Sequence, residues 1–132
     1  MKQGSVITVE VSPGELLDKI TILEIKAARI TDPAKLRNVR TELATLQAAR
    51  ERALANSPEL AGLAAELKSA NEALWDIEDE IRSCERRKDF GSRFVELARS
   101  VYFTNDRRSA IKRKINSIAG SRLVEEKSYP EY

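Results

Sequence analysis

Histidine is absent from the 132 residues and cysteine occurs once. The first absence removes the commonest general base and the commonest zinc ligand. The second rules out a disulfide within the chain, and Cys84 falls on an apolar helix face, where it reads as a small core side chain. Glycine is scarce, at five residues. No phosphate-cradling loop, dinucleotide fingerprint or Gly-x-Ser-x-Gly elbow occurs, and no group of residues has metal-ligand spacing. The sequence therefore nominates no catalytic residue, no metal and no cofactor. No apolar run approaches the ~18 residues of a membrane span. Met1-Lys2-Gln3-Gly4 leads into a strand-like stretch and not a signal peptide, so a cytoplasmic protein is expected.

What is present is charge and helical periodicity. A third of the residues are charged and aromatics make up only 5%, as in helical bundles and coiled coils. The length suits one domain over 1–132, with about 65–70% of the extended chain's surface available for burial. The longest pattern is a hairpin. Leu60, Leu63, Leu67, Ala70, Leu74, Ile77, Ile81 and Cys84 step by three and four, and Phe94, Leu97, Val101, Ile111, Ile115 and Ile118 answer them after a turn at Asp89-Phe90-Gly91. A short turn makes the two arms, 58–88 and 92–119, antiparallel.

Ser12-Pro13 and Asp32-Pro33 join a capping side chain to a proline, which starts helices over 13–30 and 33–55; Asn56-Ser57-Pro58 does so for the first arm. Glu15 stands where a capping box needs it. The first helix carries Leu16, Ile20, Leu23, Ala27 and Ile30 on one side with Ile22 and Ile25 nearly opposite, which predicts neighbours on both sides. Val6–Val11 is rich in β-branched residues, so 5–11 reads as a strand in need of a partner, either Arg122–Glu125 or the same stretch of another subunit. The end, 121–132, reads as a tail. The expected fold is all-α: an antiparallel four-helix bundle, or long helical hairpin, with a short N-terminal β-strand. Because the hairpin outreaches the other helices, a homodimer is expected to cover its exposed stripe.

Charge is unevenly spread. Between Arg82 and Lys114 eleven Lys/Arg face four Asp/Glu, a net of +7, whereas the remainder carries twelve against seventeen, a net of −5. Arg86, Arg87 and Lys88 gather at the hairpin turn. They read either as a solvated helix end favoured by the dipole or as a surface for an anionic partner such as acidic lipid headgroups. Nucleic acid is disfavoured, since only Phe90 stands close enough to stack on a base.

The middle of the second arm is where polar residues enter an apolar stripe. Arg108 and Lys112 are one turn apart and point into the seam, next to Asn105. Two inward cations need anionic partners. Antiparallel register brings Asn71 and Glu72 near Arg108 and Glu66 near Lys112. Glu24 of the first helix, Glu78 and Tyr102 are further candidates for the same lining. Two readings stand: a polar layer that fixes the register of the helices, or a pocket for an anionic ligand.

The run Gly14–Lys26, with Leu74–Asp79, Tyr102–Arg108, Ile111-Lys112, Ile115-Asn116 and Glu126–Tyr129, resembles a bacterial domain family of unknown function whose members accompany glycosyltransferases and surface-polysaccharide genes. The resemblance covers nearly the whole chain, least over Pro33–Leu67. It carries over no catalytic residue. It implies a bacterial accessory protein, with a glycosyltransferase as one protein partner. From all of this a non-enzymatic interaction protein is expected, supporting polysaccharide or glycan assembly. The alternatives are a small helical enzyme or anion-binding protein using Arg108 and Lys112, and a binder of anionic membrane surfaces.

Overall fold

The computed structural model describes residues 4–132. Four helices form among the described residues: α1 (Pro13–Arg29), α2 (Pro33–Ala53), α3 (Pro58–Arg87) and α4 (Ser92–Ala119). The first three begin by the same chemistry. Ser12 Oγ, Asp32 Oδ2 and Ser57 Oγ each accept a hydrogen bond from the backbone N–H three residues on, with proline at the first helical position. Only half of the expected capping box is made at α1, because the Glu15 carboxylate turns away to Lys112 instead of reaching back to Ser12.

α3 ends at a Schellman turn. Lys88 takes the left-handed conformation at φ 57°, the Lys88 N–H donates to the Glu85 carbonyl and the Asp89 N–H to the Cys84 carbonyl. Asp89 Oδ1 then accepts from the Gly91 N–H, and α4 starts one residue later. This tight link folds α4 back along α3. At about 1.5 Å per residue each arm is roughly 40–45 Å long, against about 25 Å for α1.

α1 is the centre of the assembly, packing against α2, α3 and α4, whereas α2 packs against α1 alone. The apolar core lies where α1 crosses the base of the hairpin: Leu16, Leu17 and Ile20 meet Leu60, Leu63, Leu67, Ala70, Ile111 and Ile115, with Leu43, Leu46 and Leu54 laid against them. Toward the turn Cys84 and Leu97 stay buried, but Ile77, Ile81, Phe94 and Val101 are only half-buried.

The expected strand over 5–11 does not form, and no strand occurs among the described residues. The segment has no regular structure and is exposed, with Val6 at 86% and Ile7 at 87%. β-Branched residues suit a pleated ladder but do not supply one, and Arg122–Glu125, the proposed partner, forms no ladder either. The two stretches meet instead through an exposed ion pair between Arg122 and Glu10. The tail is held by side chains. Glu125 reaches Lys112, and Tyr132 packs on Tyr102 and Phe103 while its hydroxyl donates to Asp106.

Candidate functional site

α1 carries a second buried face, made of Gly14, Asp18, Thr21 and Ile25, that its leucine stripe does not include. Gly14 lets α4 approach. A β-carbon there would stand 2.7 Å from the Lys112 carbonyl oxygen and 2.9 Å from Asn116 Oδ1, which accepts the Gly14 N–H at 2.7 Å. The close crossing sets Asp18 opposite Arg108 and Glu15 opposite Lys112.

Asp18 is the hub, at 2% exposure. Its Oδ1 accepts from Arg108 Nε at 2.9 Å and from Asn71 Nδ2 at 2.9 Å, and its Oδ2 accepts from Arg108 Nη2. This is the side-on fork in which a guanidinium grips both carboxylate oxygens. Asn71 also donates to Thr21 Oγ1 at 3.0 Å, and the Thr21 hydroxyl donates to the Asp18 carbonyl at 2.9 Å. Lys112, 7% exposed, meets Glu15 at 2.8 Å, Glu125 at 3.0 Å and Asp18 at 3.7 Å. An unpaired charge here would cost several kcal/mol, about 3–5 when one partner is removed. Every fully buried side-chain nitrogen and oxygen among the described residues has a hydrogen-bond partner.

The electrostatics follow from the geometry. Burial pushes the Asp18 carboxyl up, but the bonds from Arg108 and Asn71 and the nearby cations outweigh it and hold it below its ordinary value. The bond to Asp18 raises Arg108 against the opposing effect of burial. Burial lowers Lys112, yet Glu15, Glu125 and Asp18 raise it on balance. Lys112 in turn holds Glu125 down. Each of these groups is driven further from neutral pH, so each stays charged. General acid–base chemistry wants the opposite, a group poised near the working pH. The arrangement locks three helices and the tail together.

The structure gathers some of the expected site residues and disperses others. Arg108 and Lys112 do point inward, and Asn71 is buried in the same layer, joined to Arg108 through Asp18. Asn105 lies beside Arg108, its Oδ1 3.4 Å from Nη1. Glu24 takes no part; the acids of α1 that do are Glu15 and Asp18. Glu78 pairs with Arg82 on the surface and also lines, with Asn71, Trp75 and Arg108, a hollow of about 280 Å³ between α1, α3 and α4. Tyr102 is exposed, stacks with Phe103 and Tyr132, and does not line the hollows beside Arg108. At the turn Arg86, Arg87 and Lys88 are exposed, with Arg87 bonded to Ser83 and Lys88 to Glu85.

Asp18, Thr21, Asn116 and Glu125 were not among the expected residues. Asp18 and Thr21 carried a signal: with Gly14 and Ile25 they repeat at four, three and four, a helical face that apolar counting passes over.

Three hollows among the described residues flank α4 on the tail side. One, of about 250 Å³, is lined by Asp106, Lys112, Arg113, Asn116, Glu125 and Lys127. A second, of about 230 Å³, has Arg108, Lys112 and Lys127 on its walls; the third, of about 850 Å³, lies between α4 and the tail and is lined by Tyr102, Tyr129 and Tyr132 with Asn105 and Lys127. No group of three or more Cys, Asp or Glu side chains suited to a metal ion occurs among the described residues, and none of their helices is long and apolar enough to cross a membrane. No curated protein and no solved structure matches the chain. A protein-family profile matches residues 7–131, which takes in the buried cluster and the tail, and the chain therefore belongs to that family, the family of unknown function DUF6165.

Proposed function

We propose that this protein is a non-enzymatic interaction module whose recognition surface is the aromatic face formed by α4 and the C-terminal tail. The observation that carries the reading is the division of labour between two sets of side chains. The buried ionic groups are matched to one another and held in their charged forms. The aromatics, by contrast, are displayed: Tyr102, Phe103, Tyr129 and Tyr132 are all exposed on one side of the molecule. Tyrosines of this kind supply large, stiff contact area with a polar edge, which is why they are enriched at protein interfaces. The occupant is a protein partner. The family resemblance adds its setting, as an accessory in polysaccharide or glycan assembly. An enzyme built on Arg108 and Lys112 would have to recruit side chains that Asp18 and Glu15 already engage.

The test places a photo-crosslinking residue at Phe103, at Tyr129 and, for comparison, at Arg40 on α2, in cells that make the full chain from its own locus. Adducts of one discrete mass are expected from Phe103 and Tyr129, none from Arg40, and loss of the adduct when Tyr102 and Tyr132 are both changed to serine. Equal adducts from α2, or adducts indifferent to the serine changes, would contradict the proposal.

A further inference from the structure

Glu125 stands apart from the other acids of the cluster. Glu15 and Asp18 are carried on α1, but Glu125 belongs to a tail segment without regular structure, and its side chain is 45% exposed. It nevertheless reaches the Nζ of the buried Lys112 at 3.0 Å. The hollow around that contact is lined by potential donors, Asn105, Arg108, Ser109, Lys112 and Lys127, with the Glu15 carboxylate, already bound to Lys112, on the same wall. At about 230 Å³ it has room for several waters at roughly 30 Å³ each, or for a small oxyanion.

The donors are not exhausted. The three bonds that Arg108 makes leave N–H groups over, and the Asp18 fork fixes the plane in which they point. The Lys127 ammonium lies 5.9 Å from the centroid of the Tyr129 ring and has no carboxylate within 4 Å among the described residues. Charge makes the same point. Arg108, Lys112 and Lys127 are balanced by Asp18, Glu15 and Glu125. Withdrawing Glu125 leaves one positive charge in excess in a partly desolvated hollow, the condition under which an anion is favoured.

We propose that this hollow is an oxyanion-binding site in which Glu125 is the resident anion, and that a phosphate or carboxylate group from outside replaces it on Lys112 and loosens the C-terminal tail. Exchange is possible because Glu125 is tethered by little. The backbone around it is held by Arg113, which approaches the Glu125 carbonyl at 3.4 Å and the Glu126 carboxylate at 3.7 Å, both exposed contacts. An internal competitor also weakens outside ligands in inverse proportion to the fraction of time it leaves the site free. The hollow shares Asn105 and Lys127 with the one beside the aromatic face, but its occupation by an oxyanion does not require the partner proposed above.

The experiment is calorimetric titration of the full chain with inorganic phosphate and, separately, acetate, at ionic strength held constant with sodium chloride. The variants are Glu125→Gln and Lys127→Gln, both at exposed positions; without the Glu125 charge the buried Lys112 keeps Glu15 and Asp18 as partners. If Glu125 occupies Lys112 about nine-tenths of the time, Glu125→Gln binds phosphate about tenfold more tightly than the native chain, and Lys127→Gln in that background weakens it again. Amide hydrogen exchange over 121–132 should quicken when phosphate is added to the native chain. Heat from phosphate alone would assign a phosphate site, and heat from acetate as well would assign oxyanions generally; both uphold the inference. No heat with Glu125→Gln, equal affinity with and without Glu125, or indifference to Lys127→Gln would overturn it.

Discussion

The two ends of the α3–α4 hairpin are built from the same kinds of residue and are held differently. At the base, three helices converge and the charges are inside: Asp18 and Lys112 are almost wholly buried, and their partners close around them. At the turn, only two helices meet and the charges are outside: Arg82 pairs with Glu78, and Arg93 with Glu80 and Glu96, all substantially exposed. A buried pair is expensive to break and a surface pair is not. What separates the two ends is therefore α1, which supplies a third wall and with it the low dielectric that makes an ion pair matter. The hairpin by itself supplies neither.

The largest effect expected is at Asp18. Asp18→Ala strips Arg108 and Asn71 of their common acceptor at once, and should cost about 3–5 kcal/mol in denaturant unfolding. The loss should shrink on acidification. The folded pKa of Asp18 lies below its ordinary value, so the unfolded chain binds the proton more readily. The stabilisation is present above the ordinary value and disappears as pH falls through the folded one. Native and Asp18→Ala chains should thus converge in stability toward strongly acidic pH.

Second comes the crossing that positions Asp18. Gly14→Ala thrusts a methyl group against the Lys112 carbonyl, backbone that cannot swing aside, and should cost about 1–3 kcal/mol. The turn gives smaller numbers. Lys88 holds a left-handed conformation that glycine adopts freely, so Lys88→Gly should stabilise by about 1 kcal/mol. Arg82→Ala removes an exposed pair and should change stability by less than about 1 kcal/mol. A loss at Arg82 as large as that at Asp18 would erase the distinction between the two ends.

Much of this architecture was legible in the sequence. Ser12-Pro13, Asp32-Pro33 and Ser57-Pro58 announce their helices by a mechanism the structure repeats three times. The interrupted stripe of α4 correctly marks Arg108 and Lys112 as inward cations. Their partners were harder to read. Register along the hairpin finds Asn71, because that pairing is fixed by the turn. Asp18 depends on how α1 crosses the hairpin, which is a property of packing and of the space left at Gly14. Glu125 has no periodicity at all, since it sits in a tail. Val6–Val11 fails for another reason. Its propensity is real, but a strand is a relation between two segments, and no second segment among the described residues answers it.

The measurement that reaches the central claim most directly is a double-mutant cycle between Asp18→Asn and Arg108→Met, read by denaturant unfolding of the full chain at neutral pH. If the buried fork ties α1 to α4, each single change is costly and the two are not additive, with an interaction energy of about 1–3 kcal/mol. Losses that add to within about 0.5 kcal/mol would mean that Asp18 and Arg108 stabilise the chain independently, and the account of the base as an ionic clamp would be wrong.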